Sequence, residues 1–270
     1  MTRDERRYYG SMVSLVCILI IAIIFLGINV YDKNKKPDEA IAADITSNMD
    51  NAEKVSEEVA GDLITAEIPS ELSELLERNP EVKEFVESYP DRERYMGDID
   101  ISQDYKEGEI PLFIQWDKRW GYQTYGDGIM ALEGCGPTCL SMVVVGLTGD
   151  TKYNPKYIAD FSYENGFYAD GSSKWELMTY GAQKLGLEVK ELPLWKNSID
   201  QELRDGNPII CIMGPGDFTD DGHFIVITDV DDEDMYTLND PNSRIKSEKK
   251  WSYDELKEQI KNIWAYSVKK

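Results

Sequence analysis

A single cysteine lies in a setting that favours a reactive thiolate. Cys135 stands between Gly134 and Gly136, and Pro137 follows it where an apolar helix is predicted to begin. Proline suits the first helical turn because its missing N–H would have no partner there. The unpaired N–H groups and the dipole of a helix start favour the thiolate, which is the nucleophilic form of cysteine. We therefore interpret Cys135 as a nucleophile; the alternative is a small, buried core side chain.

The only histidine of the sequence, His223, is the candidate base for this thiol. A thiolate nucleophile needs a neighbouring group that holds and passes its proton. His223 follows a turn at residues 220–222 and begins a predicted strand, which places its ring at the mouth of a sheet. Isolated histidines are more commonly surface or core residues, but the combination with Cys135 favours a catalytic pair. Cys139 and Cys211 lie in apolar stretches of a predicted helix and strand, so both are expected in the core.

Strand alternation supplies a candidate third group that would orient the imidazole. If residues 223–230 and 235–240 form a hairpin, His223 and Asp240 are diagonal neighbours on one face, at a backbone separation of about 7–8 Å that their side chains can bridge. A register shift by one residue would present Asn239 instead. A third interpretation is that the Asn-Asp-Pro motif is only a turn that ends the strand. Of these we favour Asp240.

Gln115 is the candidate side chain for stabilising an oxyanion. It is a neutral amide donor 20 residues before the cysteine, and with the backbone N–H of Cys135 it would complete an oxyanion hole. Trp116 and Trp120 follow it in the same segment and are expected to pack in the core.

The elements that must position these side chains belong to a domain predicted over residues 105–270. An apolar helix is expected after Pro137, a second helix is expected over residues 174–185, and short strands come later in the chain. Helices first and strands afterwards are typical of an α+β fold more than of regular βαβ alternation. The strands are predicted over residues 187–192, 208–213, 223–230, 235–238 and 263–268.

Residues 12–30 are predicted to cross a membrane once. They carry no charge, and at about 1.5 Å per residue they span roughly the 30 Å hydrocarbon core. The run is longer than the about 7–15 apolar residues of a cleaved signal, so an uncleaved anchor is expected. Positive charges on its two sides nearly balance. The preferred orientation leaves residues 1–11 in the cytoplasm and the following chain outside.

The stretch after this span is strongly acidic. Between residues 32 and 104 there are 21 acidic and 8 basic side chains. Residues 31–69 are predicted to form a solvated linker. Residues 70–104 contain two short amphipathic helices that cannot be stable alone, so we expect them either to dock on the following domain or to form a stalk. Their apolar faces hold Leu72, Leu75, Leu76, Val82, Phe85 and Val86.

Composition argues against several classes of function. A formal net charge of −22 would repel a phosphate backbone, so nucleic acid is not an expected partner. One histidine and four cysteines do not supply a zinc cluster of the usual spacing or a disulfide-stapled scaffold, and no cofactor is expected. Acidic turns at residues 217–221 and 231–234 lack the ligand spacing of a calcium-binding loop.

Four sequence blocks resemble bacterial papain-like cysteine peptidases related to the double-glycine leader peptidases, which process bacteriocins. The resemblance as a whole covers about residues 111–268. The blocks are IPLFIQWDKRWGYQTYG, EGCGPTCLSMVVVGLTG, GHFIVITDV and NDP, and the segment NPEVKEFVESYP is similar to the lead-in of Gram-positive members. The resemblance implies a helical half that carries the cysteine and an antiparallel sheet half that carries the histidine. It also implies the following roles: Gln115 as oxyanion donor, Cys135 as nucleophile, His223 as general base and acid, and Asp240 as orienting residue.

Together these features predict a membrane-anchored thiol hydrolase, namely a peptidase that cleaves a peptide amide through an acyl-enzyme at the cell surface. Its expected partners are a peptide or protein substrate and the lipid bilayer around residues 12–30. The alternative is a non-catalytic extracellular or cell-envelope module that keeps the fold and has lost turnover.

Overall fold

Four short helical segments begin residues 68–268, the part of the chain that the structure, a computed structural model, describes. They are α1 (Ser70–Arg78), a 3-10 helix (Pro80–Val82), α2 (Lys83–Glu87) and a second 3-10 helix (Tyr89–Tyr95). We call residues 70–95 the lead-in. Its apolar side chains share a buried cluster with Ile114, Trp116, Tyr122 and Ala131 of the following chain. The lead-in therefore docks on the domain and does not form a free stalk.

A helical half follows, built around one buried helix. Its elements are β1 (Thr124–Tyr125), β2 (Gly128–Ile129), α3 (Met130–Glu133), α4 (Cys135–Thr148), α5 (Pro155–Glu164), β3 (Tyr168–Ala169), β4 (Ser172–Ser173), a π-helix (Leu177–Gly181) and α6 (Ala182–Lys184). Apolar residues lie on all sides of α4, as expected of a helix enclosed by other elements. The helix ends before Gly149, whose φ of 72° is the left-handed conformation that closes many helices.

The sheet half carries six antiparallel strands. Its elements are β5 (Leu187–Glu191), α7 (Lys196–Arg204), β6 (Ile209–Met213), β7 (His223–Val230), β8 (Met235–Asn239), α8 (Arg244–Glu248), β9 (Trp251–Ser252), α9 (Tyr253–Leu256) and β10 (Ile260–Val268). The strand order is β5-β10-β6-β7-β8-β9. Every residue of β6 is buried because one sheet face packs on α4 and the other on α7.

The fold is mixed α and β, with a helical half and an antiparallel sheet half, and several boundaries differ from the prediction. The helix expected after Pro137 begins two residues earlier, at Cys135, so the proline is its third residue, where its missing N–H still has no helical partner. The helix expected over residues 174–185 is a π-helix followed by the single turn of α6. Helices do not all precede strands, because α7 lies between β5 and β6.

The predicted membrane span at residues 12–30 and the predicted linker up to residue 67 lie outside the described residues. Within residues 68–268, none of the helices combines the length and the apolar character needed to cross a bilayer.

Candidate active site

Cys135 is the first residue of α4 and is half-buried. The turn before it is tight: the N–H of Gly134 donates to the carbonyl of Met130 at 2.9 Å. A Cβ at Gly134 would lie 2.4 Å from that carbonyl oxygen, and a Cβ at Gly136 would lie 2.5 Å from Ser173 Oγ. The two glycines therefore permit close packing around the nucleophile candidate.

His223 lies at the start of β7 with its ring almost completely buried. Its Nε2 is 2.7 Å from Asp240 Oδ1, which leaves Nδ1 as the ring nitrogen for Cys135. The β7–β8 register pairs Val226 with Asn239, and one further step in that register places Asp240 opposite residue 225. At this end of the hairpin the register is the predicted one, and the diagonal contact is present. Nearer the turn the pairing differs by one residue, Asp229 with Thr237, because a β-bulge lies between Ile227 and Asp229.

Charge and hydrogen bonding change the acidity of both members of the Cys135–His223 pair. Burial alone would raise the pKa of the Cys135 thiol, but the hydrogen bond and charge of His223, with backbone groups of Phe224 and Gly136, lower it overall. Burial alone would lower the pKa of His223, but the charge and hydrogen bond of Asp240 and the neighbouring Cys135 raise it overall. Both shifts favour a thiolate beside an imidazolium.

Asp240 is fully buried, and hydrogen bonds fix both its backbone and its side chain. Oδ1, the oxygen that contacts His223, also accepts the backbone N–H of Asn242 at 2.8 Å. The backbone N–H of Asp240 donates to Ser247 Oγ at 2.9 Å. Its Oδ2 is buried and has no hydrogen-bond partner within residues 68–268. A buried carboxylate of this kind needs a charged partner to offset desolvation, and the imidazolium of His223 is that partner.

Asn239, the alternative orienting residue, has a different contact. Its Nδ2 donates to the backbone carbonyls of Ile110 and Pro111, at 3.1 Å each. These bonds attach the end of β8 to the segment before Gln115. The structure therefore brings Asp240, and not Asn239, to the imidazole.

Gln115 connects the two halves of the site. Its backbone N–H donates to the carbonyl of Pro241 at 2.7 Å, next to Asp240. Its side-chain Nε2 donates to the carbonyl of Ala131 in α3 at 2.7 Å, which uses one of the two amide hydrogens. The second amide hydrogen forms no hydrogen bond within residues 68–268, and Oε1 is buried there without a partner. Trp120, as expected, packs in the core.

The other two thiols of the domain, Cys139 and Cys211, are completely buried core residues. Burial raises the pKa of both, and the charges of Cys135 and Asp240 raise that of Cys139 further. Over residues 68–268, no group of three or more His, Cys, Asp and Glu side chains is arranged to hold a metal ion. Asp231, from one of the acidic turns, instead accepts the N–H groups of Glu233 and Met235 and closes the β7–β8 turn.

Two contacts of Asp240 were not predicted from the sequence. They are the N–H of Asn242 and the hydroxyl of Ser247. Ser243, which caps the start of α8, is a recognisable helix-start signal in the sequence after Asp240. That signal places a helix beside the carboxylate, but the partner of each donor depends on tertiary packing.

Comparisons with known proteins place the chain in a family. The model of the Peptidase_C39 like family matches residues 107–270, while no curated protein matches. Among solved structures, the chain is similar to the peptidase domain of Streptococcus ComA, titled a bi-functional ABC transporter involved in a quorum sensing pathway; the identity is 18%, the match covers 51% of this chain and 93% of that chain, and the TM-score is 0.39. Because the family model covers more than half of the chain, the chain belongs to the Peptidase_C39 like family, a membership that indicates a cysteine peptidase.

Proposed function

We propose that this chain is a membrane-anchored cysteine peptidase that cleaves a peptide amide through an acyl-enzyme at the cell surface. The observation that carries the proposal is the buried His223–Asp240 pair, joined at 2.7 Å, beside a thiol at a helix start. Family membership supports the same chemistry.

Acylation begins from the thiolate form of Cys135. Its sulfur attacks the carbonyl carbon of the substrate, and the carbonyl π electrons move to oxygen to give a tetrahedral oxyanion. The imidazolium of His223 gives its proton to the nitrogen of the scissile amide, which then leaves as an amine. Asp240 holds the ring by Nε2, so that Nδ1 is the atom that passes the proton.

In deacylation the same groups act again, but His223 first accepts a proton instead of donating one. Neutral His223 takes a proton from water, the hydroxide attacks the thioester carbonyl, and the carbon–sulfur bond breaks to release a carboxylic acid and the thiolate. An amine in place of water would give a new amide, which is transpeptidation. The backbone N–H of Cys135 and the second Nε2 hydrogen of Gln115 stabilise the oxyanion in both steps.

Peptide cleavage by the full chain in detergent tests the chemistry. Small residues such as glycine at the cleaved position are the family-based starting point, so the peptides contain Gly-Gly and matched Val-Val sequences. We expect cleavage by the wild type, none by Cys135→Ala, and a thioester adduct on the Cys135 peptide after an acid quench. If an added amine is incorporated into a new amide product, the chain also catalyses transpeptidation. A wild type that neither cleaves nor forms an adduct supports the non-catalytic module instead.

Residues 12–30 support the anchoring part of the proposal by their length and lack of charge. We expect the full chain to sediment with membranes and to be released by detergent but not by high salt. Protease added to intact cells should digest the domain. Release by salt, or digestion only after permeabilisation, would contradict the proposed anchor or its orientation.

A further inference from the structure

The lead-in lies outside residues 107–270, the region that the family model matches, yet it contacts the loop that carries Asp240. We call residues 240–245 the Asp240 loop. The hydrogen bonds between the lead-in and this loop involve Asn79, which caps the start of the first 3-10 helix, and Glu81, which lies within it. The two segments are more than 150 residues apart in sequence.

Glu81 accepts three hydrogen bonds from the Asp240 loop. One carboxylate oxygen accepts the hydroxyl of Ser243. The other accepts the backbone N–H groups of Arg244, at 2.8 Å, and Ile245, at 3.3 Å. These N–H groups belong to the first turn of α8, where no carbonyl of the helix itself is available. The carboxylate of Glu81 thus fixes the far end of the loop.

Asn79 fixes the middle of the loop and also orders Glu81. Its Oδ1 accepts the N–H of Glu81 at 3.0 Å, while its Nδ2 donates to the carbonyl of Asn242 at 2.7 Å. That same carbonyl accepts the indole N–H of Trp116 at 3.1 Å. The N–H of Asn242 in turn donates to Asp240 Oδ1. The lead-in is therefore linked by successive hydrogen bonds to the oxygen that orients the imidazole.

The position of Glu81 is itself held by the core. Val82, the next residue, is fully buried, and Phe85 stacks on Tyr122 with ring centroids 4.1 Å apart. Movement of Glu81 away from the loop would disturb this cluster. The lead-in is thus a rigid support and not a loosely attached peptide.

We propose that Glu81 is a positioning residue for the His223–Asp240 pair, and that the lead-in is a functional part of the active site. This inference rests on the proposed function. Glu81 acts through Ser243 and the first turn of α8, which keep Asp240 Oδ1 at Nε2 of the imidazole. Without that support the carboxylate loses its fixed place, and the imidazolium that stabilises the Cys135 thiolate is weakened.

The test compares Glu81→Gln with Glu84→Gln in the full chain in detergent. Glu84 lies on the same segment but forms its ion pair with Lys118, at 2.7 Å, instead of with the Asp240 loop. The measurements are kcat and KM on the cleaved peptide and the rate of iodoacetamide alkylation of Cys135 across pH. Alkylation well below the ordinary thiol pKa of about 8.5 reports the thiolate.

We expect Glu81→Gln to lower kcat by about 10- to 100-fold, as displacement of a positioned group does, with little change in KM. The low-pH alkylation of Cys135 should fall, and its apparent pKa should rise. Glu81→Asp should recover part of the loss, and Glu84→Gln should match the wild type. Asn79→Ala, which removes the second support of the loop, should shift the alkylation profile in the same direction.

Two results separate this inference from the proposed function. If the wild type shows low-pH alkylation, and Glu81→Gln and Asn79→Ala keep the wild-type profile while losing only thermal stability, the positioning role is overturned and the peptidase chemistry stands. If the wild type itself lacks low-pH alkylation, the proposed function is overturned and the positioning role with it.

Discussion

The start and the interior of α4 show how two thiols of one helix acquire opposite character. Cys135 and Cys139 are one turn apart on the same helix. The pKa of Cys135 is lowered, whereas that of Cys139 is raised well above its ordinary value. Burial raises the pKa at both positions, but only Cys135 has His223 and backbone groups of Gly136 and Phe224 to compensate. The neighbours of each thiol, and not the residue type, determine the direction of its pKa shift.

Replacing each thiol by alanine is expected to give the largest difference in activity between the two positions. Cys135→Ala removes the nucleophile and should lower kcat/KM by at least about four orders of magnitude, as loss of a nucleophile does in other hydrolases. Cys139→Ala removes a fully buried core sulfur and should leave kcat/KM within about threefold of the wild type. Peptide cleavage with matched enzyme concentrations measures both. Equal losses from the two variants would mean that the helix start is not special.

Asp240→Asn should narrow the pH range over which Cys135 is a thiolate beside a protonated His223, a state that Cys139 in the helix interior does not share. The reactive ion pair exists above the lowered pKa of Cys135 and below the raised pKa of His223. Loss of the Asp240 charge lowers the pKa of His223, and the weaker imidazolium lets the pKa of Cys135 rise, so both limits move inward. We also expect kcat to fall by about 10²–10⁴-fold.

The pH profile of kcat/KM checks this prediction, and Asn239→Ala is its control. Asn239 attaches β8 to the segment before Gln115, so its loss should cost about 1–3 kcal/mol of unfolding free energy without narrowing the profile. A profile that narrows equally in both variants would indicate a general effect of loosening the end of β8.

Gln115→Ala sharpens the comparison by removing the side chain that we propose to stabilise the oxyanion, which has no proposed role in stabilising the thiolate. We expect kcat to fall by about 10²-fold, while the alkylation profile of Cys135 stays that of the wild type. Gln123→Ala is the matched control, because its amide also donates to a backbone carbonyl, that of Arg119 at 2.9 Å. If Gln123→Ala lowers kcat as much, the effect of Gln115 is structural.

Cys139→Ser has the smallest expected effect on function and tests the interior of α4 directly. It buries a hydroxyl in an apolar setting, so the free energy of unfolding should fall by about 1–3 kcal/mol. Cleavage below the unfolding temperature should be unchanged. Denaturant unfolding followed by circular dichroism measures the free energy of unfolding. A large loss of activity in a folded variant would show that the interior thiol takes part in the chemistry.

Features of the site that depend on the local sequence could be predicted, whereas contacts between segments distant in sequence could not. Two glycines and a proline predict the helix start to within two residues of Cys135. Alternation along a hairpin predicts the Asp240 contact but not the β-bulge between Ile227 and Asp229. The amide bond from Gln115 to Ala131 and the support of the Asp240 loop by Glu81 join segments that are distant in sequence. Such contacts depend on packing and leave no periodic pattern.

The difference between local pattern and tertiary packing also explains which elements of the fold were predicted and which were not. Strand β7 has the predicted bounds because it contains the apolar run 224–227 and lies between two turn segments. Helix α7 was not predicted, since Ile199 and Leu203 are its only apolar residues and the rest of KNSIDQELR is polar. The π-helix is buried at Leu177, Met178 and Gly181, and its apolar spacing differs too little from that of an α-helix to be distinguished by pattern alone.

The most direct test of the central claim is the pH dependence of Cys135 alkylation in the full-length wild type and in His223→Ala. Peptide mapping separates Cys135 from the other thiols. The account predicts rapid, selective alkylation of Cys135 in the wild type well below the ordinary thiol pKa of about 8.5, and in His223→Ala an apparent pKa that rises towards that value. Identical profiles in the two proteins, or equal labelling of Cys135 and Cys139, would contradict it.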